Sequence, residues 1–320
     1  MSETSPQEDR LFEEAADLMI RLQNDPGNPV SREMVKRWRA RGPSYEKAWL
    51  EVSEIHGLTG RALAPLHQVE PRSRQGVSRR SLVAAGVVGA GALAGGYLAL
   101  PGLILRAKAD HLTGTAEIRR ITLPDGGTAT LGPDSAIALH YDDRQRSIAL
   151  LAGMAFFEVA KDPSRPFRAM TSEMAATALG TAFDLSNDAG LVSVSVEHGL
   201  VEIAVPGSGF VDGNRLATGQ WATFDEHTRL TMRGNRDARQ IGTWRSGQIL
   251  VENEPVRAVV ARIARWQPGR VMIADTEFGA NRISGVFDPG NPLRALEAVV
   301  HPFGGRVRSL GPFLTVISSS

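Results

Sequence analysis

The sequence predicts a multi-domain chain: a small all-α head, one transmembrane helix, a mainly-β domain and a C-terminal α+β module of βαββαβ order. Three observations predict it. Residues 81–105 are 25 consecutive positions without a charge. Ahead of them, apolar residues recur at the helical period; from about 113 to 232 the period shortens to two, the mark of strands. Beyond 244 both periods alternate over short runs.

The uncharged run sets the organisation. At about 1.5 Å per residue it reaches roughly 37 Å as a helix, enough to cross a hydrocarbon core of roughly 30 Å with some tilt. Arg72, Arg74, Arg79 and Arg80 stand before it, and only Arg106 and Lys108 follow closely. That bias places the N-terminus in the cytoplasm and the bulk of the C-terminal part in the periplasm. Ser78-Arg79-Arg80-Ser81-Leu82 is similar to a twin-arginine export signal, with Arg79 and Arg80 as the pair. Ala107-Lys108-Ala109 imitates a signal-peptidase site, so a cleaved leader is the rival reading. The roughly 80 residues ahead of the arginines are too long for a leader's charged start and favour an anchor.

Charge and composition exclude several classes. The formal net charge is +1; residues 1–80 carry 13 Lys/Arg against 12 Asp/Glu, and residues 106–320 carry 23 of each. Neither side therefore pulls on nucleic acid or on an anionic surface as a whole. The absence of cysteine excludes disulfides, thiolate metal sites and cysteine nucleophiles. The seven histidines are scattered without ligand spacing, and no HExxH, GxSxG or P-loop lysine motif occurs. No cofactor and no ordinary enzyme active site are expected.

Residues 1–60 read as three amphipathic helices. Ser5-Pro6-Gln7-Glu8 supplies a cap, and Leu11, Phe12, Ala15, Leu18, Met19 and Leu22 form one apolar stripe. Asp25 to Pro29 breaks the helix; a second carries Met34, Val35 and Trp38, and a third Tyr45, Ala48, Trp49, Val52 and Ile55. Three short helices bury little surface alone, which points to a docked protein partner. Trp38 and Trp49 are the candidates for the head's integrity or its contact surface, with packing favoured because Trp buries most area in so small a unit. The basic run from Arg32 to Arg41 is balanced by Glu33 and the acidic third helix, so direct nucleic-acid binding is not expected. Residues 61–80 read as a tether.

The mainly-β domain spans 113–235. Pro124-Asp125-Gly126-Gly127 and Asp142-Asp143-Arg144 read as turns between strands, and His198-Gly199 reads as the turn of a hairpin joining 192–197 to 200–205. Such spacing implies an antiparallel sandwich or a wrapped β structure. In the module, 244–320, strands near 248–252, 270–273, 282–286 and 313–317 bracket helices carrying Val256, Val259, Val260 and Ile263, then Leu293, Leu296, Val299 and Val300.

Leu123-Pro124-Asp125-Gly126-Gly127, Leu150-Leu151-Ala152-Gly153, Ala155 to Val159, Phe167, Ala178 to Phe183 and Leu216 to Gln220 together resemble the FecR-type family. Val35 to Trp38 and Tyr45 to Trp49 resemble that family's N-terminal module. The module at 244–320 resembles the short signalling domain of secretins and TonB-dependent transducers, most closely at Arg282 to Phe287. The resemblance implies a single-pass inner-membrane regulator of an extracytoplasmic-function sigma factor. It would be signalled by an outer-membrane TonB-dependent receptor in iron transport and released by an intramembrane protease. In some members a Gly-Thr pair cleaves itself, and the matching pair here is Gly180-Thr181, where the Thr181 hydroxyl would attack the Gly180 carbonyl; the other reading of the pair is a strand bulge at Gly180 followed by an ordinary strand residue. The alternative is a membrane-anchored periplasmic β protein that binds a polymer or glycan.

Overall fold

The computed structural model describes residues 10–12, 14, 15, 18, 19, 22, 29–61, 104–205, 214–311 and 314–319. The predicted membrane segment at 81–105, apart from its last two residues, and the Arg79-Arg80 pair lie outside these residues. Among the described residues, no helix is long and apolar enough to cross a membrane.

The head holds three helices: α1, the described positions between 10 and 22; α2, Pro29–Arg39; and α3, Pro43–Arg61. Leu11, Phe12, Ala15, Leu18, Met19, Val35, Trp38, Ala48, Trp49 and Val52 close into one buried cluster. The predicted apolar stripes are thus spent on each other.

The β domain is built from thirteen strands in one continuous sheet. In chain order they are β1 (His111–Leu112), β2 (Arg119–Thr122), β3 (Thr128–Leu131), β4 (Ala136–Tyr141), β5 (Arg146–Glu158), β6 (Phe167–Met170) and β7 (Ala175–Ala178). There follow β8 (Ala182–Asp188), β9 (Leu191–His198), β10 (Leu200–Ala204), β11 (Arg215–Ala217), β12 (Gln220–Asp225) and β13 (Thr231–Asn235). The sheet curls into two layers that share β5. The N-terminal half of β5 pairs with β4 and β6, in the layer that continues to β7, β10 and β11. Its C-terminal half pairs with β3 and β8, in the layer that continues to β9, β12 and β13.

Residues 146–158 form one strand that changes layer at Ala152-Gly153. Gly153 has φ +86°, and a Cβ at that position would come 2.1 Å from Ser135 Oγ. Only glycine fits so close an approach in the left-handed region. One expectation is corrected: 192–197 and 200–205 do not pair. At His198-Gly199 the chain leaves one layer for the other, so β9 pairs with β8 and β12 whereas β10 pairs with β7 and β11.

Between the layers Phe157, Phe167 and Phe183 meet with ring centroids 5.3–6.3 Å apart. Leu131, Ile137, Ile148, Leu185, Val194, Val201 and Phe224 fill the rest of this core. The parallel crossover from β5 to β6 is held by Arg146, whose side chain is fully buried. Its Nη1 donates to Asp125 Oδ2 at 2.7 Å and to the Ala160 carbonyl at 2.9 Å, and its Nε donates to the Arg165 carbonyl at 2.7 Å. One guanidinium thereby ties the turn after β2 to the crossover loop.

The C-terminal module has β14 (Ile249–Pro255), α4 (Val256–Ala264), β15 (Arg270–Ile273), α5 (Thr276–Ala280), β16 (Arg282–Phe287), α6 (Pro292–Val300), β17 (Gly305–Leu310) and β18 (Leu314–Ser319). The predicted βαββαβ order gains a five-residue helix and the strand β17, and it divides into two sheets, β14-β16 and β15-β18-β17. The extra helix is too short to show a period; it is started by Asp275, whose carboxylate accepts from the Glu277 N–H. The module's core includes Met154, Phe156 and Ala182 of the β domain, so its apolar interior runs on across the outer face of β5 and β8.

Candidate functional site

Gly180 and Thr181 stand between β7 and β8, where the chain passes from one layer to the other. Gly180 has φ +121°, a value L side chains rarely adopt, and a Cβ there would come 2.5 Å from the Lys161 side chain. Thr181 is 6 % exposed, and its Oγ1 has no hydrogen-bond partner. An unpaired buried hydroxyl costs stability. Its carbonyl is fixed by the Val159 N–H at 2.8 Å, which sets the orientation of the following strand.

The surroundings are made by segments distant in sequence. A Cβ on Gly199, φ +91°, would come 2.8 Å from Thr181 Cγ2. The Gly199 N–H donates to Thr218 Oγ1 at 3.0 Å. Two stretches that resemble the FecR-type pattern, 178–183 and 216–220, thus converge around Thr181 through the His198-Gly199 corner. His198 stands opposite Ala182 in the β8–β9 register, on an exposed position. The fold supplies a glycine at positive φ and, next to it, a buried threonine hydroxyl without a hydrogen-bond partner.

Trp38 and Trp49 are brought together in the head's interior. Trp38 is 5 % exposed, its Nε1 donates to Glu14 Oε2 at 2.9 Å, and its ring meets Tyr45 edge-on with centroids 5.1 Å apart. Trp49 is equally buried, with the Arg39 guanidinium 5.7 Å from its ring centroid. Among the described residues of the head, the exposed large apolar side chains are instead Met34 and Leu50, at 42 % and 57 %. Among the described residues, no group of histidines and carboxylates could hold a metal ion.

A charged cluster that sequence reading missed lies at the junction of β domain and module. Asp188, fully buried at the tip of β8, meets Arg262 at 2.8 Å and Arg265 at 2.6 Å. Arg262 also binds Glu254 at 2.7 Å, and Arg257 meets Asp225 at 2.5 Å. Burial alone would push the Asp188 carboxyl up, but the two guanidiniums outweigh it and hold it below the usual range. Nearby Asp184 accepts from Trp244 Nε1 at 2.8 Å and lines a cavity of about 30 Å³ with Ser193, Ser195 and Arg236. Here burial wins, and the Asp184 carboxyl is pushed up to about 6.

The class defined by this architecture is a curled β domain fused to a small α+β module, with a helical head ahead of both. Residues 109–202, within the β domain, match the family model described as FecR protein. Two crystal structures of a Parabacteroides distasonis protein, to which an anti-sigma role has been ascribed, share the fold. Each is 23 % identical over 66 % of this chain and 98 % of its own, with TM-scores of 0.57 and 0.58. No curated protein matches the chain.

Asp184 gives a test with a definite sign. Its folded-state value lies above the unfolded one, so the folded protein holds the extra proton and stability falls as pH rises from about 4 to about 6, staying low above. Asp184→Asn, which keeps an acceptor for Trp244, should raise stability at pH 8 by up to about 3 kcal/mol and do little at pH 4, one pKa unit being worth about 1.4 kcal/mol. Chemical denaturation of both proteins at the two pH values measures it.

Proposed function

We propose that the chain is a FecR-type anti-sigma transducer. The head binds an extracytoplasmic-function sigma factor, 81–105 crosses the inner membrane, and the β domain and module lie in the periplasm. The module receives the signal of an outer-membrane TonB-dependent receptor, and an intramembrane protease releases the head. The observation that carries this reading is the FecR family match at 109–202, directly behind a 25-residue uncharged run and a helical head. The fold shared with the Parabacteroides distasonis protein supports it.

In this reading Met34 and Leu50 offer the apolar contact on the head, whereas Trp38 and Trp49 hold it together. Leu50→Glu should abolish pull-down of the sigma factor at unchanged helix content by circular dichroism. Trp38→Ala should cost the head about 3–5 kcal/mol, the range for emptying a buried aromatic site, and lose binding through unfolding. Equal binding by Leu50→Glu and the wild type would move the contact elsewhere.

We propose further that the Gly180–Thr181 bond cleaves itself. The Thr181 Oγ1 attacks the Gly180 carbonyl carbon, the C–N bond breaks as the nitrogen takes up the hydroxyl proton, and water hydrolyses the resulting ester to a Gly180 carboxylate and a free Thr181 amine. The φ of Gly180 and the unpaired Oγ1 support this. A denaturing gel of the purified protein should show two fragments, and a single full-length band for Thr181→Ala; an intact wild-type band refutes cleavage.

One observation favours a second arrangement, with head and module on the same side of any membrane. The Arg308 guanidinium lies 4.7 Å from the centroid of the buried Phe12 ring. A chain whose head and module face opposite sides of a bilayer cannot make that contact. Because the chain has no cysteine of its own, the pair Phe12→Cys and Arg308→Cys reports cleanly. No disulfide should form in oxidised cell membranes if the chain spans them; a strong cross-link would favour the single-sided arrangement.

A further inference from the structure

We propose that α4, with Arg265 just beyond it, is a latch that makes the C-terminal module and the β sheet one cooperative unit, so that a displacement of the module is delivered to the β8–β9 hairpin. This does not depend on the sigma-factor reading.

The helix has two working faces. Val256, Val259, Val260 and Ile263 are buried in the module's own core. Arg257, Arg262 and Arg265 leave the helix toward the other domain. Arg257 reaches Asp225 at the end of β12, and Arg262 and Arg265 grip the two oxygens of Asp188. The flanking bonds remove the remaining freedom. Ser186 Oγ donates to Asp188 Oδ2 at 2.9 Å, Arg265 Nη2 donates to the Asn187 carbonyl at 2.8 Å, and the Arg265 carbonyl accepts from the Ala116 N–H at 2.9 Å. On the module's side Glu254 takes the free end of Arg262.

These contacts differ from surface ion pairs in the quantity that matters. The side chains of Asp188, Asp225 and Glu254 are at most 8 % exposed, and those of Arg262 and Arg265 about a tenth. Pulling the domains apart would leave buried charges unpaired until water entered, which is far costlier than losing a solvated pair. The apolar continuity points the same way: Met154 and Phe156 on β5 belong to the module's core, and Arg245 lies 3.4 Å over the Phe156 ring while its Nη2 binds Glu197 on β9. An attachment of this kind opens as a whole or stays shut.

The latch closes at the tip of β8. The turn there, Ala189-Gly190 with φ of +48° and +81°, returns the chain directly into β9. The opposite end of β8 follows Thr181. Strand β8 therefore spans from the module's grip to the Gly180–Thr181 bond, hydrogen-bonded to β5 on one side and β9 on the other.

Coupling between two parts is reciprocal, and that supplies the test. Hydrogen exchange on the full chain should show β8, β9 and α4 opening together. Arg265→Met, made on the module, should speed exchange in β8 and β9 by about a hundredfold or more, the lower end for losing one partner of a buried pair. Asp188→Asn, made on the sheet, should speed exchange in α4 by a similar factor. Should either protein fail to fold, Arg257→Met at the less buried outer pair answers the same question, with a smaller loss expected in both domains. Loss of protection confined to the domain that carries the substitution overturns the latch.

Discussion

A single strand serving two sheet layers is the constraint on which the β domain depends. With β5 paired to β4 and β6 along one half and to β3 and β8 along the other, neither layer exists without it. The change of layer needs a sharp local twist at Gly153 and a buried anchor at each end. At the first end Arg146 gathers the crossover; at the second, Phe157 joins Phe167 and Phe183 between the layers. The apolar core and the buried guanidinium thus do one job from opposite directions: they fix where a continuous sheet folds back on itself.

The same strand explains how the module is attached. Residues of β5 that face inward feed the core between the layers, whereas Met154 and Phe156 face outward and would be an exposed apolar stripe if nothing lay on them. The module covers them and brings its arginines to the nearby carboxylates. Hydrophobic burial supplies attraction without direction, and the ion pairs supply the register.

Much of this was legible in the sequence. The helices of the head and module follow from apolar spacing at the 3.6 period, and the strands around Asp125-Gly126 and Asp142-Asp143-Arg144 follow from alternation and turn chemistry. The errors have physical causes. His198-Gly199 reads as a hairpin because partner choice is set by neighbours far along the chain. Arg146 was missed: it stands in a run of Asp, Arg and Gln, and its burial depends on carbonyls at 160 and 165 that no local pattern announces. The spacing of Arg257, Arg262 and Arg265 on an otherwise apolar helix was visible, but such a polar stripe ordinarily faces water. The Gly180-Thr181 pair was found through a family resemblance; the emptiness around its hydroxyl came only from the fold.

The interleaving of the strands has a consequence for a chain severed between β7 and β8. Strands β5 to β7 of the leading piece lie in one sheet between β10 and β8, both of which belong to the trailing piece. Severing the backbone there leaves every rung of that ladder in place, and the two pieces stay together without a covalent tie. What changes is the route back: an intact chain re-forms by a first-order search, but two pieces, once parted, must find each other by diffusion. Their reunion then depends on concentration, and in a dilute compartment separation becomes effectively one-way.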